Sequence, residues 1–245
     1  KERRQRHHHF RSRPRLVFDT VAQIYRDSAR LSGPRSRRFG YFTHMTLRAD
    51  LALIADLINP HARVLDLGCG EGALLAHLQK HKEVNGYGLD VDPANIRICL
   101  EKGVNVIEQN LDEGLTNFKT NSFNMVVMTE TLQSVRAPER LLSEMLRVGE
   151  ECIITFPNFG HWRCRFQLAM LGRMPVAKHI PHAWFDTPNI HMCTFRDFEN
   201  LCRDLNYPII ERRVVNYRNL ASPLGSLLPN LLGSVAFYRL GRMPT

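Results

Sequence analysis

Residues Arg63-Val64-Leu65-Asp66-Leu67-Gly68-Cys69-Gly70-Glu71-Gly72 decide how the rest of the chain is read. Val64 to Leu67 is a short apolar run with the character of a buried strand. It stops at three glycines on alternate positions, and Ala73-Leu74-Leu75-Ala76-His77-Leu78 then opens an amphipathic helix. Glycine is needed where the backbone takes φ > 0, or where a ligand approaches with no Cβ in the way. Strand, glycine turn and helix N-terminus make a nucleotide-shaped socket at the carboxyl edge of a parallel sheet. The plainer alternative is a tight turn that packs helix on strand and holds no ligand.

The spacing narrows the ligand. A dinucleotide fingerprint is G-x-G-x-x-G, with the helix dipole facing a pyrophosphate. Here the pattern is Asp-x-Gly-x-Gly-x-Gly, Asp66 through Gly72, with an acid on the strand itself. A carboxylate offers a pyrophosphate nothing and offers an ammonium or sulfonium group attraction. The run resembles the first motif of class I S-adenosylmethionine (SAM) methyltransferases. A nicotinamide-dinucleotide reading is weakened by the spacing and by the lack of a second mononucleotide half.

Working outward, Leu47, Leu51, Ile54, Leu57 and Ile58 have helical spacing from Thr46, closed by Asn59-Pro60. Asn85 to Asp90 reads as a second strand, and Asp92-Pro93 as the N-cap and first position of a helix to Lys102. Asn105 to Gln109 gives a third strand, Ser122 to Met128 a fourth, and Pro138 to Val148 a helix. Cys152 to Phe156 is almost wholly apolar, as a central parallel strand should be. Thr194 caps a helix over Phe195 to Leu205, and strands near Ile209 to Asn216 and Val235 to Leu240 pair as an antiparallel hairpin at one sheet edge. Alternating strands and helices predict an α/β fold: a Rossmann-like, doubly wound, mostly parallel seven-stranded sheet with an inserted segment after the fifth strand.

The candidate cofactor-binding residues follow from that topology. Asp66, Gly68, Cys69, Gly70 and Gly72 form the loop. Asp90, 24 residues after Asp66, ends the second strand where an acid accepts from both ribose hydroxyls, with Val91 beside it. At the end of the third strand, Asn110 or Asp112 is placed to read an adenine edge and Leu111 to pack on its face. An Asx-turn leaving the strand explains the same residues equally well. Thr129, closing the fourth strand, lies beneath the methionine half of such a ligand. No catalytic residue is assigned; His161 is the nominee for an optional general base.

Bulk properties set the frame. The chain has 245 residues, 44% hydrophobic and 23% charged, as in an ordinary globular protein. No apolar run approaches the roughly 20 residues of a membrane span. Six scattered cysteines form no C-x-x-C pair and read as reduced thiols of a cytoplasmic protein. Cys164, Cys193, His161 and His191 match no common zinc template, so no metal is expected. The net charge of +9 is confined to residues 1–44, with 12 Lys and Arg against 3 Asp and Glu; residues 45–245 carry 21 of each. The domain itself therefore has no nucleic-acid signature. The Arg-rich segment 1–44 has one weakly apolar patch, Leu16 to Tyr25, and otherwise no core-forming pattern, and is expected to be mostly disordered. It reads as upstream sequence with Met45 the start, as a basic arm, or as a transit peptide. The first is favoured because a well-formed helix follows Met45.

Between Pro157 and Cys193 lie Trp162, Trp184, four histidines and Arg163, Arg165 and Arg173. The segment could lid the socket and supply a second substrate's pocket, or meet a protein partner. The alternative is an inserted subdomain in which Trp162, Phe166, Leu168 and Leu171 are core.

Val64 to Gly72, Gly86-Tyr87-Gly88-Leu89-Asp90, Asn105 to Gly114, Met125 to Gln133, Phe156-Pro157-Asn158-Phe159-Gly160-His161-Trp162-Arg163, Thr187 to His191 and Cys193 to Phe198 closely resemble the MetW family. The resemblance covers Met45 to about Leu240. It implies a class I SAM-methyltransferase fold linked to bacterial methionine biosynthesis, SAM or S-adenosylhomocysteine at Asp66, Gly68, Gly70, Gly72 and Asp90, and association with homoserine O-acyltransferase. Asn110 and Asn124 stand where the family usually has Asp. Two functions follow as expectations: a SAM-binding subunit that acts with the acyltransferase through the aromatic, arginine-rich insertion, or an active methyltransferase. No Asn-Pro-Pro-Tyr acceptor signature follows the fourth strand, where Met128-Thr129-Glu130-Thr131 stands.

Overall fold

The computed structural model describes residues 47–215 and 227–242. The expectations for segment 1–44, for Met45 and Thr46, and for Asn216 lie outside the described residues. Helix α1 (Ala49–Leu57) precedes β1 (Arg63–Leu67), α2 (Ala73–Lys82), β2 (Asn85–Asp90), α3 (Pro93–Glu101) and β3 (Asn105–Glu108). There follow β4 (Phe123–Thr129), α4 (Pro138–Val148), β5 (Gly149–Pro157) and α5 (Trp162–Leu171). Next come α6 (Phe195–Asp204), β6 (Ile209–Val215), α7 (Pro229–Leu232) and β7 (Val235–Gly241).

The seven strands make one sheet in the order β3-β2-β1-β4-β5-β7-β6. Pairs from β3 through β5 are parallel, and β7 is antiparallel to both β5 and β6. The last two strands pair as expected, with β7 inserted between β5 and β6. Strand order reverses between β1 and β4, and a crevice opens at the carboxyl ends of strands beside such a switch. The glycine turn after β1 sits there.

Side chains alternate across the sheet and feed two cores. Leu65, Leu67, Val126 and Met128 pack on one face with Leu141, Leu142, Met145 and Phe198. Val64, Met125 and Val127 pack on the other with Ile54, Leu74, Leu75 and Leu78. Each such side chain, wholly removed from water, contributes about 1.5–3 kcal/mol before chain entropy is charged against it. The caps read from sequence form as expected: Asp92 accepts from Ala94 N at 2.9 Å, and Thr194 with Asp197 closes a capping box.

Three differences have physical reasons. Strand β5 starts at Gly149 rather than Cys152, because Gly149 pairs with Phe123, Glu151 pairs on both sides, and the Glu151 carboxylate meets Arg239 at 2.5 Å. Helix α5 has no single apolar stripe, so no helical period announces it. The reading of Trp162, Phe166, Leu168 and Leu171 as core is overturned, since all four are exposed.

Candidate functional site

The glycine turn is built by conformation and by crowding. Gly68, Gly70 and Gly72 have φ of +70°, +54° and +68°, in the left-handed region that side chains disfavour. A Cβ on Gly68 would lie 2.5 Å from Thr131 Oγ1, and one on Gly72 would lie 2.8 Å from Cys99 Sγ. A Cβ on Gly70 would meet nothing within 4 Å. The turn is packed at both ends and open in the middle.

Four of its amide donors are spent internally. Gly68 N and Cys69 N both donate to Leu89 O, at 2.8 and 3.0 Å, and Gly72 N donates to Cys69 O at 3.0 Å. Gly70 N donates to Asp90 Oδ2 at 2.8 Å. A phosphate cradle needs such groups pointing outward, and these four amides are not available for one. The Cys69 side chain also turns inward, its Sγ 4.0 Å from Cys99 Sγ. A Cβ on Gly88 would come within 2.5 Å of that sulfur. Burial raises the Cys69 thiol well above its usual range and keeps it protonated.

Asp66 and Asp90 carry the charge. Asp90 accepts from Gly70 N, from Asp92 N at 2.9 Å and from Asn95 Nδ2 at 3.3 Å. It thereby ties the turn to the start of α3. Asp66 is 2% exposed, and its Oδ1 is buried without a hydrogen-bond partner. Burial, with the Asp90 charge adding to it, pushes the Asp66 carboxyl up to about 7. A buried acceptor without a donor costs about 1–3 kcal/mol or more, and a cationic ligand group would supply the donor.

The remaining expected residues are placed as follows. Val91 is exposed at the end of β2. Asn110 Oδ1 accepts from Asp112 N at 3.0 Å, the Asx-turn of the alternative reading. Leu111 is 9% exposed and packs in the core with Leu67 and Leu89. Thr129 O accepts from Thr131 Oγ1 at 2.9 Å. Asn124, at the opposite edge, accepts from Arg63 N at 3.0 Å and donates to Glu150 at 3.1 Å, the second of which an aspartate would not do.

Sequence reading passed over Glu130. It follows β4 with φ of +48°, rare for a non-glycine residue, and its N donates to Thr155 O and Oγ1. Burial raises its carboxyl, and Arg48 opposes that shift. Gln133 Nε2 donates to Glu130 O at 2.5 Å, and Gln133 Oε1 is buried without a partner. The glutamate in Thr129-Glu130-Thr131 was the available signal, but the backbone geometry has none in sequence.

The insertion folds back over this edge. Ile190 N and His191 N both donate to Gln133 O at 2.9 Å, and Phe159 N donates to Cys193 O at 3.0 Å. His161 is a structural cap: its Nδ1 accepts from Arg163 N at 3.3 Å and its ring stands edge-on to His179. Burial lowers both histidines, His179 to about 4. Cys164 Sγ lies 3.6 Å from His179 Nε2. A cleft opens in the insertion, with Pro157, Phe159, Met174, Ile180, Trp184 and Met192 among its walls.

Comparison with known proteins joins this geometry to a family. A SAM-dependent methyltransferase from Archaeoglobus fulgidus superposes with a TM-score of 0.59 at 16% identity, over 80% of this chain and 92% of that one. The [4+2]-cyclase SpnF superposes with a TM-score of 0.58 at 16% identity, over 94% and 95%. At such identities the likeness shows the fold, and a cyclase among the neighbours separates that fold from any one reaction. The bifunctional methionine biosynthesis protein MetXA/MetW of Rhodopirellula baltica is 36% identical over 176 residues. That match takes in 68% of this chain and only 28% of the relative's length. The family model for methionine biosynthesis protein MetW matches residues 48–240, and the chain belongs to that family.

Proposed function

We propose that the chain is a SAM-binding subunit of methionine biosynthesis, acting with homoserine O-acyltransferase in the cytoplasm. The observation that carries the ligand is the partnerless, buried Asp66 carboxylate beside an open Gly70. SAM brings an ammonium and a sulfonium and no phosphate, which suits a turn in which the amides of Gly68, Cys69, Gly70 and Gly72 are already spent. Asp66 would meet its cationic end, Gly70 would allow close approach, and Asp90 has lone pairs left for ribose hydroxyls. Val91, Asn110, Leu111 and Thr129 would wall the site, within a domain spanning 45–245 and separate from the basic segment 1–44. The partnership is supported by the MetXA/MetW relative, which carries both names on one chain.

Coupling requires only that SAM bind the free and partner-bound forms differently. Titration calorimetry with SAM and S-adenosylhomocysteine, with and without the acyltransferase, tests this. A partner-dependent Kd is expected. A Kd indifferent to the partner would sink the coupling, and no binding would sink the cofactor.

Glu130 favours a second reading, methyl transfer to an unidentified acceptor. Bound SAM supplies an electrophilic methyl, and a left-handed, half-buried glutamate at the end of β4 has the strained placement common at functional sites. Turnover of SAM to S-adenosylhomocysteine that is lost in Glu130→Gln would bring that reading forward.

A further inference from the structure

The segment after β5 exposes what most surfaces bury. More than half of the large apolar side chains exposed among the described residues fall between Trp162 and Met192. On α5, Trp162, Phe166, Leu168, Met170 and Leu171 face water, and Cys164 is buried. Downstream, Trp184 and Phe185 are 73% and 74% exposed and stand edge to face at 5.8 Å. Exposed apolar area costs about 25 cal/mol per Å² relative to burial, and contiguous patches of it mark binding surfaces.

The patch is held in place. Asn158 is fully buried and donates to Gly233 O at 2.7 Å and Asn230 O at 3.2 Å. Gln133 and Cys193 pin the segment through its main chain, and His161, Cys164 and His179 pack beneath α5. Rigid apolar groups lose little entropy on binding.

Charge identifies the partner's chemistry. Residues 158–193 carry Arg163, Arg165, Arg173 and Lys178 against Asp186 alone, in a domain whose basic and acidic residues balance only when this segment is included. The Arg163 guanidinium lies 5.3 Å from the Trp162 ring centroid, so cations are interleaved with the apolar groups. A bilayer surface suits one apolar stripe backed by cations, which α5 does not offer. A second copy of this face would set like charges together.

We infer that α5 and the loop carrying Trp184 and Phe185 form the docking face for an apolar, acid-rimmed patch on the acyltransferase, with the neighbouring cleft taking an apolar anchor side chain. This rests on the partnership proposed above and locates it. Full-length chain and purified homoserine O-acyltransferase, titrated at low and high salt, provide the test. The wild type should bind, less tightly as salt rises. Phe166→Asp, Trp184→Asp and Arg173→Glu should each weaken binding at least tenfold and leave SAM affinity and thermal unfolding unchanged. A Phe166→Asp/Trp184→Asp double variant that binds like wild type overturns this inference and leaves the partnership standing. So does a wild-type dimer in sedimentation, or binding to anionic vesicles, that the same double variant abolishes. A wild type that never binds the acyltransferase removes the partnership and the inference together.

Discussion

Asp66 and Asp90 reach the same glycine turn from adjacent strands, and only Asp90 is hydrogen-bonded there. Gly70, Asp92 and Asn95 donate to Asp90, whereas Asp66 Oδ1 has no donor. The Asp66 carboxyl, raised from its usual 3.8 to about 7, holds a proton in the folded chain that the unfolded chain releases. Stability from this group is therefore full below pH 4 and lost as pH rises through 7, a difference on the order of 4 kcal/mol. Asp66→Asn should raise the melting temperature at pH 8, with the gain vanishing toward pH 4. It should also weaken SAM binding at least tenfold. For the wild type, SAM affinity should fall up to tenfold per pH unit below 7, because binding a cation expels the proton. A flat profile, or Asp66→Asn binding unchanged, would place the cation elsewhere.

Gly68 and Gly70 share a backbone conformation and differ in surroundings. Gly68→Ala adds a Thr131 clash to the cost of positive φ and should destabilise by roughly 2–4 kcal/mol. Gly70→Ala meets open space and should cost only about 1 kcal/mol. Gly70→Arg should fold yet fill the socket and abolish SAM binding. Urea unfolding with parallel calorimetry separates these effects. A Gly70→Arg variant that binds SAM normally would show that the socket is misplaced.

How far sequence reached depends on whether the deciding contacts are local. Val64 to Leu67, the three glycines, Asp92-Pro93 and Thr194 each carry their own signal, so strands, turn and caps were legible. The insertion of β7 between β5 and β6 is a long-range pairing with no local mark. Helix α5 escaped because its apolar residues are not arranged to face a core. The choice at Asn110 between adenine contact and Asx-turn needed coordinates, since both use the same side chain. Glu130 needed a φ angle.

Asn158 is the joint between the insertion and the short helix α7 that leads into the last strand. Its Oδ1 accepts from Gly160 N at 2.9 Å while its amide serves the carbonyls of Asn230 and Gly233. Asn158→Ala would leave one donor and two acceptors short in a fully buried site. A loss of about 3 kcal/mol is expected, read as a lower urea midpoint at an unchanged m-value. A change below about 1 kcal/mol would mean that water replaces the amide.

His179 gives the insertion a pH dependence opposite to that of Asp66. Burial lowers its imidazole from the usual 6.5 to about 4, with His161 and Arg163 adding repulsion and a main-chain hydrogen bond opposing. The folded chain refuses a proton that the unfolded chain accepts, so stability is full above pH 6.5 and is lost as pH falls toward 4. At pH 5 the loss is about 2 kcal/mol. It is local, because His179 packs on His161 and against Cys164 at the base of α5. Hydrogen exchange should quicken across residues 161–180 between pH 7.5 and 5, after correction for intrinsic rates, while β4 and β5 stay protected. His179→Leu should remove most of that difference. Equal loosening of β4 and β5 would show that acid acts on the whole domain rather than through this histidine.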